Sequence, residues 1–143
     1  MAFTGDFMAT SFKVELMKGT HNFTLTTGNV FKIALYDNSA SFTAATTAYT
    51  VTNEIAGTAY VAGGGSLTNV TPIATGTTAF ADFADQVWST ATFTARGALI
   101  YNSTAGTNVA LVLDFGADKT ATAGDFTVQF PVADATTGII RIA

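Results

Sequence analysis

Apolar residues recur at every second position through much of this chain, and polar turn formers interrupt them at short intervals. In VFKIALY (30–36), Phe31, Ile33 and Leu35 fall on one face of a strand, and Asp37-Asn38-Ser39 supplies the turn after it. The spacing predicts further strands at 48–53 and 59–62, then a sharp bend at Gly63-Gly64-Gly65. Strands follow at 66–73 and 78–83, and Pro72 bars the first of these from a central position because proline donates nothing to the ladder. In the second half, ATFTA (91–95) alternates around Phe93, and ALIYN (98–102) turns through Ser103-Thr104-Ala105-Gly106 into NVALVLDF (108–115) as a hairpin. DFTVQFP (125–131) turns Phe126, Val128 and Phe130 inward and Thr127 and Gln129 outward, and GIIRI (138–142) is the last strand.

One segment reads as helix. Thr10 or Ser11 can cap a first turn, Phe12 and Leu16 lie four apart, and Gly19 after Lys18 is a stop, so about two turns are expected over 10–18. An alternating strand through Phe12, Val14 and Leu16 is the competing pattern, and the capping signals decide for the helix. Short strands with frequent turns and a single helix predict an all-β chain, an antiparallel β-sandwich or jelly roll. The expected core comprises Phe31, Ile33, Leu35, Phe93, Leu99, Ile100, Leu111, Leu113, Phe126, Val128 and Phe130. Residues 1–9 are set apart as an N-terminal arm ahead of one domain at 10–143. Met1, Phe3, Phe7 and Met8 are large apolar groups where a soluble monomer carries polar residues, so the arm must fold back on its own domain or bury itself in a neighbour. The second outcome makes these four residues the candidate interface.

Composition then narrows the function. Of 143 residues only 11% are charged, with one histidine and no cysteine. Catalysis and metal binding need titratable side chains that converge, and the supply here is Glu15, Glu54, eight aspartates, four lysines, Arg96, Arg141 and His21. No enzyme, no cofactor and no metal site is expected. The net charge is −4 and the cations are dispersed, so no basic stripe marks a nucleic acid partner. No apolar run approaches a membrane span. The first twenty residues show no leader pattern, and the lack of cysteine fits synthesis in a reducing cytoplasm.

Several local matches carry little. Asp114-Phe115-Gly116 has the kinase tripeptide without any other kinase motif, and reads as a strand ending in a polar turn. Gly63-Gly64-Gly65-Ser66 lacks the lysine and helix of a phosphate loop. His21 reads as a polar residue leaving the helix. Asp114, Asp118 and Asp125 are the one acidic cluster to weigh for calcium, and their spacing does not fit a calcium loop. Thr50-Val51-Thr52 and Thr92-Phe93-Thr94 are too irregular for a threonine array.

The succession SFKVELMKGTHNF, VFKIALYDNSA, TTAYTVTNEIAGTAYVAGG, FTARGALIYN and VLDFGADKTATAGDFTVQFPVADATTGIIRIA resembles, over nearly the whole chain, a family of small structural proteins of tailed bacteriophages and prophages. The resemblance implies a virion component assembled in the host cytoplasm. A capsid decoration, or cement, protein bound to the major capsid protein as a homodimer or trimer fits best. The alternative is a tail-associated or receptor-binding module recognising a host surface glycan, for which Trp88 near Asp82 and Asp85, or Tyr101, would be the contact residues.

Overall fold

A computed structural model describes residues 3–143. The elements run β1 (Phe7–Met8), α1 (Thr10–Met17), β2 (Phe31–Tyr36), β3 (Gly65–Ser66), β4 (Asn69–Thr75), β5 (Thr78–Phe83), β6 (Gln86–Asn102), β7 (Asn108–Val128) and β8 (Ile140–Ile142). They build two antiparallel sheets, one in the order β1-β7-β6-β2-β3 and the other β4-β5-β8. The chain is thus the expected all-β sandwich with one short helix. Phe83 of β5 reaches across to Phe31 of β2 at 5.6 Å between ring centres, and Phe23 stacks on Phe31 at 4.4 Å. Contacts of this kind between aromatic rings join the sheets.

The expected strands 91–95 and 98–102 are parts of the single strand β6, which pairs with β7 in one long hairpin. The hairpin stays continuous because it absorbs its irregularities as bulges. Between the pairs Gly97↔Asp114 and Ala95↔Lys119, β6 advances two residues and β7 advances five. Gly116, at φ 78°, sits in that excess. Asp114-Phe115-Gly116 is therefore not the end of a strand but a bulge inside one, and β7 runs on to Val128. The expected strand at 125–131 is the last part of β7, with Phe130 and Pro131 beyond it.

All of β2 from Ile33 to Tyr36 is buried, so both of its faces are covered. Alternation identified the face of Phe31, Ile33 and Leu35 and missed the other. Residues 37–64 lie over that second face, with Phe42 edge-on to Tyr36 at 4.7 Å and the Tyr36 hydroxyl donating to Thr50 O at 2.7 Å. The expected strands at 48–53 and 59–62 do not form there. The segment forms no strand ladder with the sheet and meets its backbone at the isolated bridges Ala48↔Asn108, Tyr36↔Glu54 and Thr58↔Thr92. Left-handed conformations at Asn53, Ala59 and Gly63 break the extended runs that the alternation suggested.

The expected strand at 66–73 divides into β3 and β4, and Pro72 lies on β4 at the edge of the small sheet. The helix begins at Thr10 with Ala9 at the N-cap position and no side-chain cap, so neither Thr10 nor Ser11 caps it. Instead Thr10 N–H donates to Ala44 O at 2.8 Å, a tertiary contact that replaces the local one. Phe12 is fully buried and Leu16 half-buried. Every expected core residue is buried except Leu113, which is half-buried beside the core.

Candidate functional site

The N-terminal segment folds back on its own domain. Phe3 is 1% exposed and packs edge-on against Phe42 at 5.7 Å, with the Arg96 guanidinium 5.9 Å from the centre of its ring. Gly97 makes room for it, since a Cβ on that residue would come within 2.3 Å of the Phe3 ring. Phe7 and Met8 pair with Val112 and Leu111 as strand β1, half-buried. Of the four candidate interface residues, Phe3 is interior, Phe7 and Met8 form part of a cleft wall, and Met1 lies outside the described residues.

Buried polar groups around Glu54 and around His21 collect into two networks, while Ser11 Oγ and Asn69 Oδ1, also buried, find no hydrogen-bond partner among the described residues. All four tyrosines of the chain gather around Glu54. The Tyr49 hydroxyl donates to Glu54 Oε2 at 2.5 Å, while Tyr60 and the Gly63 N–H donate to Oε1 at 2.6 and 2.7 Å. Tyr101 stacks on Tyr49 and donates to Gly63 O at 2.7 Å, and Tyr60 accepts the Leu35 N–H at 2.9 Å. The triple-glycine bend is thus pinned to the sheet through a carboxylate. Gly64, at φ 78°, lies so close to Ile33 O that no Cβ fits there. Burial, with the Glu54 charge nearby, pushes all four phenols above the usual tyrosine range.

A second network surrounds His21, which is buried rather than leaving the helix for solvent. Asn102 Oδ1 accepts the Thr104 and Ala105 N–H groups at 3.0 and 3.1 Å, which fixes its amide orientation. Asn102 Nδ2 then donates to Asn29 Oδ1 at 2.9 Å and to His21 Nδ1 at 3.0 Å. The ring proton is left on Nε2, 2.7 Å from Glu15 Oε2, and Glu15 Oε1 accepts from Asn108 at 3.0 Å. The resemblance to a carboxylate–histidine relay ends there, because both ring nitrogens are engaged and the side chain has no solvent exposure. Its physical role is to tie helix, hairpin tip and the 20–30 loop together. Asn102→Ala is expected to lower stability by about 2–4 kcal/mol, since two backbone N–H groups and the histidine lose partners at once. Thermal melting checks the size of the loss, and amide exchange at residues 103–107 shows whether the tip opens first.

Asp114, Asp118 and Asp125 do not converge as ion ligands. Asp114 accepts the Gly116 N–H at 2.8 Å and pairs with Arg96, and these contacts hold its carboxyl below the usual range. Asp125 accepts the Thr90 N–H at 3.2 Å, and Asp118 is exposed. Among the described residues, no group of three or more acidic, histidine or cysteine side chains is arranged to hold a metal ion. Asp82 is 1% exposed, accepts the Phe83 and Ile139 N–H groups, and has its carboxyl pushed up by burial. Of the residues named for glycan contact, Asp85 is exposed, whereas Asp82, Trp88 and Tyr101 are interior: Trp88 packs on Phe93 and Phe126, and Tyr101 is 3% exposed.

Two adjoining clefts lie along the outer side of β7. The first, of about 500 Å³, runs between β1 and residues 128–131 and 137–139, with Phe7, Met8, Leu113, Phe115 and Ile139 in its walls. The second, of about 480 Å³, lies between Phe115 and the stretch 125–129. Sequence reasoning missed both because they arise where β7 bends at its bulge. The one available signal was Gly116 interrupting an apolar strand, which marks a bulge or bend. No family model, curated protein or solved structure matches this chain.

Proposed function

We propose that the chain is a non-enzymatic structural component of a bacteriophage virion, a capsid decoration protein bound to the major capsid protein and acting as a dimer or trimer. The observation that carries this reading is the closure of the buried polar networks. Glu54 and His21 spend both oxygens or both nitrogens on the protein itself, so these groups brace the sandwich and leave no free acid–base atom at those positions. A rigid, weakly charged β-domain suits a clamp between shell subunits, and the segment order resembling tailed-phage structural proteins supports the same reading. The proposed assembly takes place in the host cytoplasm, with no nucleic acid or membrane partner. The tail-associated, glycan-recognising alternative draws no support from Trp88 or Tyr101, which are covered.

Immunogold labelling of intact particles tests the proposal. Label spread over the head, together with add-back of the purified protein to stripped heads, is the expected result. Label confined to the tail moves the chain to the alternative class, and unlabelled particles reject a virion role.

A further inference from the structure

We infer that the outer edge of β7 is a docking groove for a short extended segment of a partner protein, one that alternates apolar and basic residues. The inference does not depend on the proposed virion role. β7 spans 21 residues, yet β1 pairs with its outer side only at Leu111 and Val112, with the flanking Ala9 N–H donating to Ala110 O and Asp6 accepting the Asp114 N–H. Among the described residues no strand pairs with that side from Leu113 to Val128. Outward N–H and C=O groups along such an edge are matched in full only by another extended backbone.

The chain shows the docking mode at one end. Its own β1 lies antiparallel on the edge, with Phe7 and Met8 in the wall of the first cleft, and the second cleft continues from there, sharing Phe115, Val128 and Gln129. The groove is apolar at its floor, through Phe115, Phe126 and Val128, so it accepts side chains at period two. Four acids line the two clefts, Asp6, Asp114, Asp118 and Asp125, against Lys119 as the one lining cation. Arg96 offsets Asp114, and the remaining excess of acid favours lysine or arginine in the incoming segment. The register shifts leave only the short regular stretches Lys119–Ala121 and Phe126–Val128, which admit a few residues of extended chain and disfavour the long straight edge of a second copy.

The test uses the full, isotope-labelled protein and three synthetic peptides: acetyl-Lys-Val-Lys-Phe-Lys-Val-amide, its glutamate counterpart, and a version with proline at the valine positions. Expected are saturable amide shifts confined to residues 113–131 with the lysine peptide alone. Asp118→Lys, at an exposed residue, should bind it about fivefold or more weakly while melting at the wild-type temperature. Equal binding of the glutamate or proline peptide overturns the assignment, as do shifts elsewhere or no shifts. Self-association that protects the 125–128 amides, seen as mass rising with protein concentration, overturns it in favour of a second copy.

Discussion

Replacing Phe3 by alanine is expected to cost about 3–5 kcal/mol, the range for removing a buried aromatic side chain. The ring is 1% exposed, faces Phe42, lies under Arg96 and fills the space left by Gly97. For a chain of this size the melting temperature should fall by on the order of 10 °C. Deleting residues 1–8 should cost at least as much, since it also removes the β1 pairs with Val112 and Leu111. The segment set apart in the sequence as an arm ahead of the domain thus contributes Phe3 to the core and β1 to the sheet. Calorimetry of the full chain, Phe3→Ala and the truncated chain decides the matter. Unchanged melting in both variants would show that the segment contributes nothing to the monomer. A companion variant, Gly97→Ala, should also lower the melting temperature with the N-terminal sequence unaltered, because a Cβ there meets both the Phe3 ring and the Leu113 carbonyl.

Raising the pH above 10 should unfold the protein well before the backbone is chemically damaged. The sign follows from the tyrosines. Their phenols lie above the ordinary tyrosine value of about 10 in the folded state, chiefly through burial and secondarily through Glu54. In the unfolded chain they ionise near 10, so there the unfolded state binds fewer protons than the folded one. Their contribution is complete below pH 10 and declines as the pH rises through and beyond it. Denaturant midpoints measured at pH 8, 10 and 11 should therefore fall steeply over the last interval, with tyrosinate absorbance appearing together with loss of structure. Absorbance that rises at pH 10 in the still-folded protein would contradict the buried cage. Glu54→Ala should lower stability at neutral pH by about 2–5 kcal/mol, because Tyr49, Tyr60 and the Gly63 N–H lose a common charged acceptor.

The sequence by itself determined the fold class, most of the strands and most of the core. Alternation at period two reports which side of a strand faces apolar surroundings, and Phe31, Ile33, Leu35, Phe93, Phe126 and Val128 obey it. Glycine after Lys18 marked the helix end, and Pro72 marked an edge, because both act through the local backbone. What local pattern cannot encode is what covers a strand's second face. Ala34 and Tyr36 are buried by residues 37–64, a segment whose own alternation predicted strands that never form. The same limit hid the Glu54 and His21 networks. His21 and Asn102 are 81 positions apart and Glu15 and Asn108 are 93 apart, so only the closed hairpin brings them within hydrogen-bonding distance. It also hid the destination of Phe3: composition required that the ring be covered, and the choice between its own core and a neighbour fell to the space that Gly97 leaves beside β7. The proposed docking groove belongs wholly to tertiary structure, because it lies where β7 bends around its bulge and, among the described residues, has no strand paired to its outer edge beyond Val112.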